Sequence, residues 1–144
     1  MRTNRTLLSL GLLISILGAP TVVFSQEVAA ADAVAVAFVN ARQGAGLSKL
    51  KRMGRNTFGD KICKHDMRFP SGLINSVSYQ TSEPSILSES AQRLAVAVDT
   101  GKTAARFGIG VCLVTPTSAG QPVYSIFIAT YESRPTSFWR IFWE

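Results

Sequence analysis

Hydrophobic residues recur every three to four positions in the first half of the chain and every two in its last third. From Glu27 to Arg42, the residues Val28, Ala31, Val34, Ala35, Phe38 and Ala41 fall on one helical face, interrupted only by Asp32, Asn40 and Arg42. The Gly44-Ala45-Gly46 turn ends this helix, because glycine readily takes the left-handed conformation that closes one. A second helix is predicted from about Phe58 to Met67, with Thr57 as its cap and Asp60 three residues on. Phe58, Ile62 and His65 share its apolar face, and Phe69 extends it. Gly72 to Gln80 carries Val77 and Tyr79 at period two and is a strand candidate. Beyond the turn signal Thr81-Ser82-Glu83-Pro84, a third helical stripe is made by Leu87, Ala91, Leu94, Ala95 and Val98. Glu89 and Arg93 pair on its outer side and Gly101 ends it.

The period then changes. Phe107, Ile109, Val111 and Leu113 alternate with Gly108, Gly110, Cys112 and Val114, so both faces of this strand are small or apolar and the strand is central. Thr115 to Pro122 is a turn, and Val123 to Tyr131 is a second strand that closes an antiparallel hairpin. Helices first and the strongest strands last define an α+β domain, with helices packed on a small antiparallel sheet.

The N-terminus has a separate role. Arg2 and Arg5 form a basic region, Leu7 to Leu17 an apolar one, and Gly18-Ala19-Pro20 break it ahead of small residues at Val23 and Ser25. This is an export signal, with cleavage expected between Ser25 and Gln26. Residues 1–25 are then the signal peptide and 26–144 a single globular domain, secreted or periplasmic. The apolar run is short against the roughly 20 residues that span a bilayer.

Export changes the reading of the cysteines. In an oxidising compartment Cys63 and Cys112 form one disulfide, for which the chain-entropy model gives about 4 kcal/mol. The other reading is a nucleophilic thiol served by His65, but on a helix these two positions point about 200° apart. With one histidine, two cysteines and nine acidic residues, the 144-residue chain offers little for a transition-metal site, so no metal and no cofactor are expected. No phosphate-binding loop, nucleophile elbow, zinc-binding His-Glu-x-x-His or Cys-x-x-Cys pair occurs. Glu83, Glu89 and Asp99 are explained by helix ends and solvated pairs.

Two segments point to partners. Lys49, Lys51, Arg52, Arg55, Lys61, Lys64 and Arg68 face only Asp60 and Asp66 within their stretch, which makes the charge one-sided. One reading is a solvated face. The other is salt-sensitive binding of an anionic envelope polymer or lipid surface through Lys61, Lys64 and Arg68. Phe138-Trp139-Arg140-Ile141-Phe142-Trp143 is either a last strand folded back on the domain or an aromatic tail that docks on a protein partner. Nucleic acid is not expected as a partner, since the charge is modest and export removes most such targets.

Several motifs together resemble a family. Phe38-Val39-Asn40-Ala41-Arg42 with Gly46-Leu47 and Leu50 is similar to the first helix and loop of the CAP superfamily of secreted cysteine-rich, pathogenesis-related proteins. The helix bearing Cys63 and His65 resembles that family's next helix. Phe107-Gly108-Ile109-Gly110-Val111-Cys112 with Tyr124 to Tyr131 resembles its closing hairpin, and Tyr79 to Ser85 a linker of shortened bacterial members. The resemblance implies a reduced α-β-α sandwich. Typical members also gather two histidines and two acids in a cation-binding cleft, whereas this chain has only His65 and lacks the Gly-Glu-Asn and His-Tyr-Thr-Gln segments. The expected function is therefore a non-catalytic exported binding domain. The alternative is a hydrolase using His65 as general base with Glu83 or Glu89 beside it.

Overall fold

The computed structural model describes residues 19–63, 69–98, 103–114 and 120–133, with side chains described throughout except at residues 19–24 and 61. The residues proposed as the basic and apolar parts of the signal lie outside this set. Helix α1 spans Ala19–Gly44 and runs unbroken through the expected cleavage point at Ser25 and Gln26. It thus starts before the predicted Glu27. Its end agrees with expectation. Gly46 has φ of +69°, and Leu47 N–H donates to the Arg42 carbonyl at 3.0 Å.

The second predicted helix begins one residue later than expected, and its expected C-terminal part, residues 64–67, lies outside the described residues. A single 3-10 turn occupies Arg55–Thr57, Phe58 follows it with a non-helical backbone, and α2 runs over Gly59–Cys63. Thr57 therefore sits inside the preceding turn and does not cap α2, and the Asp60 carboxylate meets Arg55 at 3.2 Å. Strand β2, Leu73–Thr81, lies where period two placed it. Helix α3, Glu89–Val96, is capped by Ser88, whose hydroxyl accepts the Ala91 N–H at 3.2 Å. It ends early because Ala97 turns extended, which leaves Val98 off the buried stripe and 74% exposed. Arg93 and Glu89 pair at 2.6 Å as expected.

Strands β3, Ala104–Val114, and β4, Val123–Glu132, form the antiparallel hairpin. β2 pairs antiparallel with β4, and a two-residue strand that sequence patterning did not anticipate, β1 at Lys51–Arg52, pairs parallel with β3. The sheet is therefore mixed, in the order β1-β3-β4-β2, with β3 interior as predicted.

Alternation along β3 and β4 builds three layers. Phe107, Ile109 and Val111 with Tyr124, Ile126 and Ile128 meet Ala30, Val34 and Phe38 of α1 and Ala91 and Leu94 of α3. The opposite faces carry Ala129 and Tyr131, covered by Phe58 and Ile62. Gly108 and Gly110 make that cover close. A Cβ on Gly108 would lie 2.6 Å from the Phe58 ring, and one on Gly110 3.3 Å from Ile62. The result is a small α+β domain whose helices lie on both faces of the sheet.

Tyr131 is fully buried on the α2 side, its ring at 6.0 Å from Phe58 in an edge contact, and its hydroxyl has no hydrogen-bond partner. Burial pushes its pKa up to about 12, with the Arg106 guanidinium pulling slightly back. A raised acid favours the neutral form, so the stability it allows is whole below pH 10 and is lost as pH climbs from about 10 to about 12. Tyr131→Phe removes an unsatisfied buried group and is expected to stabilise the protein by about 1 kcal/mol at pH 7. Denaturant unfolding at pH 7 and pH 11 checks both statements, the variant's advantage widening at the higher pH.

Candidate binding surface

Neighbouring strands set cations side by side at the β1 edge. Lys51 is in register with Arg106, and Arg52 with Phe107. Alternation places Lys51 and Arg106 on the α2 side and turns Arg52 toward α1, where its guanidinium pairs with Asp32 at 2.6 Å. Arg55 reaches Asp60. Arg106 Nε and Nη2 donate to the Glu132 carbonyl at 3.2 and 3.0 Å, and its guanidinium carbon lies 5.8 Å from the Tyr131 ring centre. Lys49 and Lys51 are exposed and meet no carboxylate among the described residues. Like charges opposite one another on adjacent strands repel, so Lys51 and Arg106 together are a net cost to the fold.

Two depressions flank this edge. On the α2 side, one of about 290 Å³ is lined by Lys51, Arg52, Met53, Gly54, Thr57 and Arg106. On the α1 side, a groove of about 570 Å³ has Ala35, Val36, Val39, Leu50 and Phe107 as its apolar lining and Lys49 and Lys51 at its rim. A third space of about 160 Å³ lies between α1 and α2, where Glu27, Arg55, Asp60 and Cys63 face Ile109 and Val111. The Glu27 carboxylate there accepts the Leu113 N–H at 2.8 Å, closing part of the β3 edge beyond the end of β1.

The cysteine expectation holds. Cys63 and Cys112 are joined, with their Cα atoms 5.4 Å apart, and the bond ties α2 to the central strand. The Cys63 sulfur rests 3.2 Å from the Val111 carbonyl oxygen, a contact without a proton because the sulfur is oxidised. Arg42, read in the sequence as a polar interruption, is buried and structural. Its Nε donates to the Ser48 carbonyl and its Nη1 to the Ala95 carbonyl near the end of α3, both at 3.2 Å.

The anion-binding face assigned to Lys61, Lys64 and Arg68 falls outside the described side chains, as do His65 and the aromatic segment Phe138–Trp143. What the fold assembles instead is the first half of the basic stretch together with Arg106. No sequence signal marks Arg106, which joins the cluster only because β1 inserts beside β3. For the hydrolase reading, Glu89 is committed to Arg93 on α3, across the sheet from Cys63, and Glu83 lies in the turn closed by the Thr81 hydroxyl. Among the described residues, no three histidine, cysteine or acidic side chains gather as a metal site, and no helix is long and apolar enough to cross a membrane.

Comparison of the chain with protein-family models, with curated proteins and with solved structures yields no match.

Proposed function

We propose that the protein is an exported, non-catalytic domain of reduced CAP-like build that binds an anionic partner outside the cytoplasm. The observation that carries this reading is the register of Lys51 with Arg106, two cations kept opposite each other, neither of them in an ion pair with a carboxylate among the described residues. A repulsive pair of this kind is relieved when a negative group binds. The disulfide suits an oxidising compartment, and the three-layer arrangement agrees with the build that the CAP resemblance implies. Lys61, Lys64 and Arg68 extend the same basic stretch, and the partner is an anionic envelope polymer or lipid surface. The aromatic segment Phe138–Trp143 is a second contact, for a protein partner.

Retention on an anionic matrix tests the reading. Lys49→Glu with Lys51→Glu is expected to weaken binding at least tenfold at low salt, because each surface cation near an anionic surface contributes about 1 kcal/mol. A Lys61→Glu, Lys64→Glu, Arg68→Glu variant measured alongside shows which half of the stretch dominates. Wild-type protein that elutes as early as both variants would defeat the proposal.

A further inference from the structure

The β1 edge has the parts needed to accept another strand. In the parallel pairing of β1 with β3, the Met53 N–H donates to the Phe107 carbonyl at 2.8 Å, so the residues flanking Arg52 bond inward and Arg52 itself faces out. Leu50 and Arg52 therefore point their backbone N–H and C=O groups away from the sheet. Among the described residues β1 is the edge strand beside β3, and no turn or loop hydrogen bond takes up the Leu50 groups. The apolar groove lies on one face of this edge and the cationic depression on the other, and the two share Lys51 and Arg52. Val36, at the groove, is 60% exposed.

The geometry points to one occupant: an extended, acidic peptide segment that adds to β1 as a fifth strand. The inference rests on the reading of the protein as a binder of anions, and it adds an acidic peptide to the polymer or lipid surface proposed above. An added strand would gain main-chain hydrogen bonds from Leu50 and Arg52, while its side chains alternate between the two faces. Those on the α1 side enter the groove over Val39 and Phe107, so they must be apolar. Those on the α2 side meet Lys51 and Arg106, so they must be acidic. The matching sequence is thus one that alternates acid and aliphatic residues.

Lysines at a sheet edge ordinarily prevent pairing. Here they deter neutral and basic strands and leave acidic ones favoured, which turns protection into selectivity. The other edge, β2, lacks this combination. Its Ser76 N–H is taken by Asn75 Oδ1 at 2.8 Å, and from Leu73 to Thr81 it carries no charge with which to choose a partner.

The test uses the purified protein and a capped hexapeptide alternating glutamate and valine, followed by backbone amide NMR and titration calorimetry. Binding is expected to shift the Leu50 and Arg52 amides and to weaken at least tenfold when alternate peptide amides are N-methylated. Val36→Asn is also expected to weaken peptide binding at least tenfold while leaving elution from the anionic matrix unchanged, since Val36 is exposed and the substitution makes the groove polar without altering its charge. An N-methylated peptide that binds equally well would overturn the inference, as would shifts confined to Ser78 and Gln80 of β2. Failure to bind the peptide by a protein still retained on the matrix would overturn strand addition alone. Loss of both would remove the anion-binding reading beneath it.

Discussion

Replacing Cys63 and Cys112 together by alanine is expected to lower the unfolding free energy by about 4 kcal/mol, most of the stability of many small domains. The bond closes a sequence separation of 49 residues, so its loss frees a large loop in the unfolded chain. It also releases α2 from the β3 strand it covers. At roughly 4 °C per kcal/mol for a chain of this size, the melting temperature should fall by about 15 °C. Calorimetry of the wild type, the reduced wild type and the double variant checks this. The last two should coincide. A loss below 1 kcal/mol would mean that the cross-link constrains little in the unfolded ensemble.

The elements that the sequence revealed are those whose own periodicity is buried. The face of α1 through Val34 and Phe38 and the alternation of Phe107, Ile109 and Val111 are both read by the same core, so each could be recognised without knowing the other. Strand β1 escaped notice for the opposite reason. Two residues, Lys51 and Arg52, have no period, and their extended pairing exists because β3 offers an open edge at Phe107. The start of α2 lies one residue past the predicted Phe58, because the apolar spacing of Phe58 and Ile62 continues across a change of backbone. Phe58 lies between the 3-10 turn and the helix, yet both side chains still reach the same strand face.

The binding surface divides in the same way. One-sided charge in the stretch from Lys49 onward was visible as composition, and the fold retains it at β1. The partner cation Arg106 comes from a distant position in sequence and is brought to Lys51 only by the parallel register. The apolar groove was equally hidden, since Val36 and Val39 of α1 belong to no stripe of their own and acquire a neighbour only when Leu50 packs beside them. Disulfide pairing needed less information, since two cysteines allow a single pairing within the chain, and the missing side chains of Gly108 and Gly110 let α2 come close to that strand face.

That close approach yields the second large effect. Gly108→Ala would drive a methyl group to 2.6 Å from Cγ of Phe58, whose ring is buried against Tyr131 and has no solvent side to which it can retreat. Overpacking of this order costs about 3 kcal/mol. Phe58→Ala alone should cost about 3–5 kcal/mol, through lost burial and the cavity left behind. In the double variant the two faults occupy the same space, because the alanine at 108 enters the volume that the ring has vacated. Its cost should therefore fall at least 2 kcal/mol short of the two single costs taken together. Urea unfolding of the four proteins measures the coupling. Strict additivity would show that Phe58 can rotate clear of β3, and that the absent side chain at Gly108 is not what seats this layer on the sheet.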